Sequence, residues 1–178
     1  MRKRVKPPEN AELRPIGARA LKSAGDTLRP YLPGARVLDL FAGQGRFGKM
    51  ALDEGAEWVT FVEKDAATAR ALRSGLPAHA EVISQDVATF AAGGKHYDIV
   101  FADPPFPLWQ PGFQQQLGSS VMQWLSDESI FLVKGPSRVI LSAAFPALSF
   151  WKETRFGEST LSYFRYGSRG DDKNREIP

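Results

Sequence analysis

The turn that follows the apolar run "YDIVFA" combines a carboxylate, two prolines and an aromatic ring, Asp103 to Phe106. Pro104 and Pro105 each fix φ at about −65° and lack a backbone N–H, so the turn is rigid and offers carbonyl acceptors without competing donors. The Asp103 side chain and the Pro104 carbonyl could accept both N–H groups of an exocyclic amine. The Phe106 ring could stack on the base, a contact worth roughly 1–3 kcal/mol. The turn therefore predicts a site that aims a weakly nucleophilic amine at an electrophile.

Three glycines, Gly43, Gly45 and Gly48, have the spacing G-x-G-x-x-G between a predicted strand and a predicted helix. In that context the pattern indicates a ligand-binding loop, because glycine permits a tight turn and lets a ligand approach the backbone amides. The next predicted strand ends in Glu63, whose carboxylate can accept both hydroxyl protons of a ribose. The loop therefore predicts a ligand that contains a nucleoside.

Two further acids help to separate the nucleoside ligands that fit this loop, a dinucleotide and S-adenosylmethionine. Asp39 lies at the end of the first strand, where a carboxylate could meet the cationic methionine end of S-adenosylmethionine; dinucleotide sites more usually have apolar residues there. Asp86 follows the third strand beside Val87, where it could accept the adenine amine, although it would serve equally well as a helix N-cap. Acids at three successive strand ends favour S-adenosylmethionine, because ligands of open α/β sheets bind at those ends.

Alternating strands and helices must position these residues. Short apolar or β-branched runs predict strands over 36–41, 57–63, 80–84, 97–102 and 129–135. Helical spacing predicts helices over 18–32, 46–55, 65–76, 87–94 and 113–126. Strand-like runs in "RVILSA", "LSFWKETRFG" and "STLSYFRYG" suggest a closing antiparallel pair. This order predicts a mainly parallel sheet with helices on both faces.

The composition indicates one globular domain with polar ends. The 178 residues are 43% hydrophobic with 12 Phe, enough for a core of that size. We expect a domain over 13–167, a basic, flexible N-terminus over 1–12 and a polar, flexible tail over 168–178. "MRKRVK" has four basic residues and no acid, which suits contact with phosphates.

Several classes of protein and site are disfavoured. The chain has no cysteine, which excludes a disulfide framework and thiolate metal sites and fits a reducing compartment. No apolar run reaches the length of a membrane span, so we expect a cytoplasmic protein. His79 and His96 lack neighbours at metal-ligand spacing, and no metal site is assigned. Lys134 could face the crevice at the strand ends, whereas a solvated basic face is expected for Lys152, Arg155, Arg165 and Arg169.

The ordered segments "VLDLFAGQGRFG", "FVEKD", "SQDV" and "IVFADPPF" resemble the class I S-adenosylmethionine-dependent amino-methyltransferases. Within that class, "LDLFAG", the Asp that begins Asp-Pro-Pro-Phe, "LRP" (13–15) and "ESTLSYFRY" resemble the bacterial 16S ribosomal RNA guanine-N2 methyltransferases of the RsmD type. The resemblance covers about Leu13 to Tyr166. It implies a Rossmann-like α/β fold with a mainly parallel seven-stranded sheet and a C-terminal antiparallel strand pair.

The resemblance also implies roles for individual residues. The target guanine would be held by Asp103, Pro104, Pro105 and Phe106. Arg14 would reach the RNA or the cofactor. Arg46 departs from the family, which usually has a small or apolar residue there; it could approach a substrate phosphate or be a solvated residue in the first turn of the helix. S-adenosylmethionine would be held by Asp39, Phe41, Gly43, Gly45, Glu63 and Asp86, with Val87 beside the last.

The expected reaction is methyl transfer from sulfur to the exocyclic N2 of a guanine in 16S rRNA, free or in the small ribosomal subunit, by a monomer. An adenine amine in DNA or RNA, or a glutamine amide in a protein, are alternative targets; enzymes for these more often have Asn at the position of Asp103. Outside this class, an NAD-dependent oxidoreductase and a non-catalytic RNA-binding module are the other hypotheses.

Overall fold

The computed structural model describes residues 16–141 and 143–167, and its centre is a seven-stranded sheet. The strands are β1 (Arg36–Leu40), β2 (Trp58–Glu63), β3 (Ala80–Ser84), β4 (Tyr97–Ala102), β5 (Leu125–Pro136), β6 (Ser149–Phe156) and β7 (Ser159–Arg165). The helices are α1 (Ala18–Leu28), α2 (Arg46–Asp53), α3 (Ala66–Arg73) and α4 (Phe113–Val121).

The strand order is β3-β2-β1-β4-β5-β7-β6. The first five strands pair in parallel, whereas β7 is antiparallel to both β5 and β6. The chain reverses its direction of travel across the sheet between β1 and β4, and such a switch point is where open α/β sheets bind ligands. The predicted parallel sheet with a closing antiparallel pair is confirmed.

Two apolar clusters cover the two faces of this sheet. The first packs α1, α2 and α3 against one face through residues such as Leu28, Phe47 and Leu72. The second packs α4 against the other face through Leu117 and Val121. Because both faces are covered, the central strands are apolar on both sides, and β1 is buried from Val37 to Leu40.

Proline shortens the first predicted helix. The α-helix ends at Leu28, and Arg29–Tyr31 form a 3₁₀ turn instead of continuing to residue 32. Pro30 lacks the N–H that the next helical turn requires, so the α-helical hydrogen bonds cannot extend through it.

Several other predicted elements differ from the structure. The fifth strand begins at Leu125 rather than at residue 129, and the third helix ends at Arg73 rather than at residue 76. The segment 87–94 is a helix only as the 3₁₀ turn Val87–Thr89, because Phe90 is already extended with ψ 131°. The segment 113–126 is helical only to Val121, and β5 begins at Leu125. The described part of "RVILSA" is not a strand: a turn closes at Val139, Ile140 is 79% exposed and Leu141 is fully buried.

Some sequence-based predictions fall outside the described residues. These are the basic N-terminus over 1–12, Arg14 and the polar tail over 168–178. They stay predictions.

Candidate active site

The register of the sheet brings the predicted acids to one edge. Leu40 of β1 lies beside Val62 of β2 and Ala102 of β4, and Ala102 lies beside Val133 of β5. The residues that follow Val62, Ala102 and Val133 on β2, β4 and β5 are all charged: Glu63, Asp103 and Lys134. Side chains alternate between faces along a strand, so these three share one face of the sheet with Asp39.

The glycine loop joins β1 to α2 beneath this edge. Gly45 has φ 67°, and a Cβ atom there would lie 2.6 Å from Leu72 Cδ1. A Cβ atom at Gly48 would collide with the Phe61 ring and lie 2.9 Å from Val59 Cγ1. These two glycines therefore let α2 pack closely on β2 and α3. Gly43 differs, because a Cβ atom there would meet nothing closer than 4.0 Å, so it faces open space above the loop.

Glu63 ties the glycine loop to the second strand. Its Oε2 accepts a hydrogen bond from the Gly43 N–H at 2.8 Å, and its Oε1 accepts one from the Asp65 N–H at 2.8 Å. The residue is 9% exposed. A carboxylate has about four lone-pair sites, so two backbone hydrogen bonds leave acceptor capacity for a ribose.

Asp39 is the most deeply placed acid of the site. It is 2% exposed, and its Oδ2 accepts a hydrogen bond from the Gly48 N–H at 2.9 Å. Burial raises the pKa of Asp39 well above its ordinary value; the Gly48 N–H opposes this, whereas the carboxylates of Asp103 and Glu63 reinforce it. Asp39 therefore orients the first turn of α2 and favours a positive charge beside it.

Asp86 and Val87 form the outer part of the site, after β3. The Asp86 side chain is exposed, and its Oδ1 accepts a hydrogen bond from the Ala88 N–H at 2.9 Å as the N-cap of the 3₁₀ turn. Val87 is buried in the second cluster. Both explanations of Asp86 are compatible, because N-capping leaves carboxylate lone pairs that can accept an amine.

Phe41 links β1 to the glycine loop in a rare backbone conformation. Its φ is 58°, in the left-handed region that residues with a side chain seldom adopt. Such conformations cost about 1–3 kcal/mol and concentrate at ligand-binding sites. This observation is independent of the sequence motif and points to the same loop.

The Asp-Pro-Pro-Phe turn leaves β4 at the same edge. Pro104 is buried, Pro105 has φ −60°, and Phe106 begins a 3₁₀ turn and is half-buried. Trp109 closes that turn and is 8% exposed, with its ring edge-on to Phe113. Asp103 is thus held on a rigid backbone, and the Phe106 ring is only partly covered by the core.

The partner of Asp103 was not predicted. Lys134 Nζ lies 2.7 Å from Asp103 Oδ1, with the two side chains 9% and 13% exposed. The pair lies between adjacent strands and could be found only from the register of β4 and β5. Burial raises the pKa of Asp103, and the Lys134 ammonium and the Ile16 N–H oppose that rise.

Arg46 contacts the chain itself in the structure. Its Nη1 donates a hydrogen bond to the Ile16 carbonyl at 3.2 Å. Since the Ile16 N–H faces Asp103, the segment that enters α1 is fastened between the turn and the glycine loop. Contact of Arg46 with a substrate phosphate stays a prediction.

The expected solvated basic face is wrong for two residues. The Arg165 guanidinium lies 4.2 Å from the Trp151 ring centroid and donates to the Tyr31 hydroxyl at 3.0 Å. Lys152 Nζ lies 5.2 Å from the Tyr163 ring centroid and donates to Thr27 Oγ1 at 3.0 Å. Both cations are half-buried against aromatic rings, so they stabilise the packing of α1 on β6 and β7.

Two further findings concern metal sites and membrane spans. Within 16–141 and 143–167, no three His, Asp or Glu residues are grouped so that they could hold a metal ion. No helix among those same residues is long and apolar enough to cross a membrane.

The chain is similar to known proteins over most of its length. Residues 1–165 match the family described as "Conserved hypothetical protein 95". The ribosomal RNA small subunit methyltransferase D of Escherichia coli is 30% identical over 171 residues, which cover 92% of this chain and 85% of that protein. The protein of the same name from Haemophilus influenzae is 39% identical over 115 residues, and the match spans 59% of this chain and 60% of that protein.

Solved structures show the same fold. The Escherichia coli protein yhhF has a TM-score of 0.78 and 27% identity, with 89% of this chain and 90% of that chain covered. The N-methyltransferase NodS of Bradyrhizobium japonicum has a TM-score of 0.67 at 11% identity, with 85% and 99% covered. The predicted Rossmann-like methyltransferase fold is confirmed.

Proposed function

The chain belongs to the family described as conserved hypothetical protein 95, and from that premise we propose that it methylates the exocyclic N2 amine of a guanine in 16S rRNA. The predicted resemblance to the RsmD-type methyltransferases is confirmed by that family and by the relatives named ribosomal RNA small subunit methyltransferase D. At the level of the family, the prediction of an S-adenosylmethionine-dependent methyltransferase is also confirmed. The guanine, its atom and the residue roles are the proposal.

The donor set at the strand ends fits S-adenosylmethionine, which when bound supplies a methyl group on a positively charged sulfur. Asp39 would favour the cationic methionine end, and Glu63 would accept the ribose hydroxyls while it holds Gly43 in place. Asp86 would accept the adenine amine, with Val87 beside it. Gly43 leaves open space above the loop, and the unusual φ of Phe41 shapes the same turn.

The Asp-Pro-Pro-Phe turn would hold the target base. The Asp103 carboxylate and the Pro104 carbonyl would each accept an N–H of the amine, which directs the nitrogen lone pair toward the methyl group. The bond between the methyl group and sulfur would break with its electron pair left on sulfur, while the positive charge that develops on the nitrogen would meet acceptors already in place. The nitrogen would release one proton to the solvent. Pro105 keeps the turn rigid, and Phe106 would stack on the base.

Together with the family match, one observation carries this proposal: the first position of the turn is a carboxylate, Asp103. A carboxylate has only acceptors, so it suits the N1–H and N2–H donors of guanine. Adenine presents its N6 amine beside the N1 acceptor, and an amide side chain, which has both an acceptor and a donor, would match that pair better.

The substrate and setting follow from the same premise. We infer that the target lies in 16S rRNA, free or in the small ribosomal subunit, and that the chain acts as a monomer in the cytoplasm. The basic residues of "MRKRVK", with Arg14 and Arg46, would supply phosphate contacts.

The test is incubation with S-adenosylmethionine labelled on its methyl group and rRNA from a strain lacking the gene, followed by nucleoside analysis. We expect labelled N2-methylguanosine. Asp103→Asn should lower the rate about 100-fold or more while adenosylhomocysteine still binds. The matched control Asp127→Asn changes an exposed carboxylate on β5 and should retain activity.

Other outcomes would favour the alternatives. Label in adenine or in a protein glutamine, with guanine unlabelled, would overturn the guanine assignment. Tight NAD binding in calorimetry, without binding of adenosylhomocysteine, would favour an oxidoreductase. RNA binding without any label, unaffected by Asp103→Asn, would favour a non-catalytic module.

A further inference from the structure

Lys134 is a buried cation inside the proposed site. Its side chain is 9% exposed, and lysine is almost never buried without a partner. The partner is Asp103, whose Oδ1 accepts a hydrogen bond from Lys134 Nζ at 2.7 Å. Asp103 is the residue proposed to hold the target amine, so Lys134 directly contacts the proposed site.

The backbone fixes this lysine rigidly. Lys134 is in β5, between β4 on one side and β7 on the other, and it lies beside Leu161 of β7. Val133 lies beside Ala102, so the next residues, Lys134 within β5 and Asp103 directly after β4, lie side by side. The position of the ammonium relative to the carboxylate is therefore set by strand register rather than by a loop.

We propose that Lys134 is a positioning residue for Asp103: it holds Oδ1 and favours the ionised carboxylate, so that the remaining acceptor capacity faces the target amine. This inference rests on the proposed function. A carboxylate has about four lone-pair sites, and Lys134 occupies one of them. A protonated Asp103 would present a donor where the amine needs an acceptor.

The charges around Asp103 explain why a cation is needed there. Burial raises the pKa of Asp103, and the buried carboxyl of Asp39 on β1 lies near enough for the two charges to repel each other. The Lys134 ammonium on β5 and the Ile16 N–H at the start of α1 oppose the rise in pKa. Of these groups, Lys134 carries the full positive charge.

Lys134 also faces the ring that would stack on the base. Its Nζ lies 5.9 Å from the centroid of Phe106, within the range of a cation–π contact. The same ammonium thus contacts both the acceptor for the amine and the stacking surface for the base. It orders two parts of the turn relative to each other before a substrate arrives.

The test compares Lys134→Met with Lys134→Arg. The Met variant removes the charge at similar length, and we expect kcat to fall at least tenfold at neutral pH, with adenosylhomocysteine affinity unchanged. The acid limb of its pH–rate profile should move to higher pH by about one unit or more, because the pKa of Asp103 rises without the cation. The Arg variant keeps the charge and should restore much of the rate and the position of the limb.

A matched control comes from an exposed lysine–carboxylate pair. Lys95 Nζ lies 2.8 Å from Glu81 Oε1, with side chains 42% and 30% exposed. Lys95→Met should leave kcat and the pH–rate profile unchanged. Should Lys134→Met not fold, Lys134→Gln keeps a donor for Oδ1 but lacks the charge, and the same movement of the acid limb is expected.

A second measurement does not depend on activity. The carboxyl carbon of Asp103 can be followed by ¹³C NMR through a pH titration and assigned from its absence in Asp103→Asn. Loss of the Lys134 charge should move this titration to higher pH. If the unaltered chain methylates no guanine but this titration still moves, the proposed function fails and the positioning role stands.

Two results would overturn the inference. One is a charge-removing variant whose kcat, acid limb and Asp103 titration all match those of the unaltered chain. The other is a folded variant that loses activity equally at every pH, with no movement of the Asp103 titration and no recovery in Lys134→Arg. That result would make the pair a packing contact only.

Discussion

Glu63 shapes the glycine loop, and the ribose contact proposed for it would use the lone pairs that remain. Its two oxygens accept backbone hydrogen bonds from Gly43 and Asp65, one on each side of the site. The carboxylate is therefore needed for the loop conformation before any ribose is present. Substitution at Glu63 should affect the chain with and without cofactor.

Glu63→Gln is expected to destabilise the fold and weaken cofactor binding. The amide can accept at only one of its two ends, so one of the two N–H groups faces another donor, at a cost of about 1–3 kcal/mol. We expect a lower urea midpoint and at least a tenfold weaker affinity for adenosylhomocysteine in calorimetry. Glu57→Gln, at an exposed glutamate, should change neither; a normal affinity in Glu63→Gln would remove Glu63 from the ribose site.

At the scale of elements, the junction between β1 and α2 depends on contacts that a single methyl group would break. The Gly48 N–H donates to Asp39, and the Gly48 Cα lies against β2 with no room for a side chain. The first turn of α2 is therefore held by a hydrogen bond and by close packing at one position.

Gly48→Ala should displace α2 from the sheet. The added methyl group would collide with the Phe61 ring and crowd Val59, and overpacking of this kind costs about 1–3 kcal/mol. We expect a lower urea midpoint and weaker adenosylhomocysteine binding, because the glycine loop moves with α2. Gly75→Ala is the control, since a Cβ atom there meets nothing within 4 Å. Equal stability of the two variants would contradict the close-packing argument.

The elements differ in how far the sequence could predict them. The first four strands were predicted within a residue at each end, because uninterrupted apolar runs followed by glycine or acid specify strands covered on both faces. "RVILSA" has the same local character but is not a strand, since β7 already occupies the edge of β5 that a neighbouring strand would need. That information lies in residues far along the chain.

The site shows the same division between local and distant information. The acids at the strand ends followed from motif spacing, which is local. The pair of Lys134 with Asp103 joins residues 31 positions apart, and the stacking of Arg165 on Trp151 depends on the register of β6 and β7. Contacts of this kind require the sheet order, which no short pattern specifies.

At the scale of the whole molecule, the buried acids make stability depend on pH. Burial raises the pKa of Asp39 and of Asp103 in the folded chain above the ordinary value of about 3.9. The folded state then holds more protons than the unfolded state, so the free energy of unfolding falls as the pH rises from about 4 through the raised pKa values. The pKa values of three other acids are lowered, so these acids change the free energy of unfolding only at more acidic pH: Asp26, Asp65 and Glu81.

Asp39→Asn should therefore flatten the decline in stability above pH 4. The amide keeps an acceptor for the Gly48 N–H but does not titrate. We expect the urea midpoint of the unaltered chain to decrease as the pH rises from about 4 through the raised pKa values, and that of Asp39→Asn to decrease less, with Asp103 accounting for the remainder. Parallel curves for the two proteins would mean that Asp39 has an ordinary pKa.

The insertion of β7 between β5 and β6 also affects the order in which the chain can fold. Until residues 159–165 have been synthesised, β5 has a single neighbour, β4, and its other edge is unpaired. Pairings between distant segments form slowly, because a long loop must close before they contribute. Lys134 lies on that late-formed edge, so a nascent chain could complete its glycine loop while the lysine beside Asp103 is still open to water. The ability to hold a nucleoside would then precede the ability to aim an amine during synthesis.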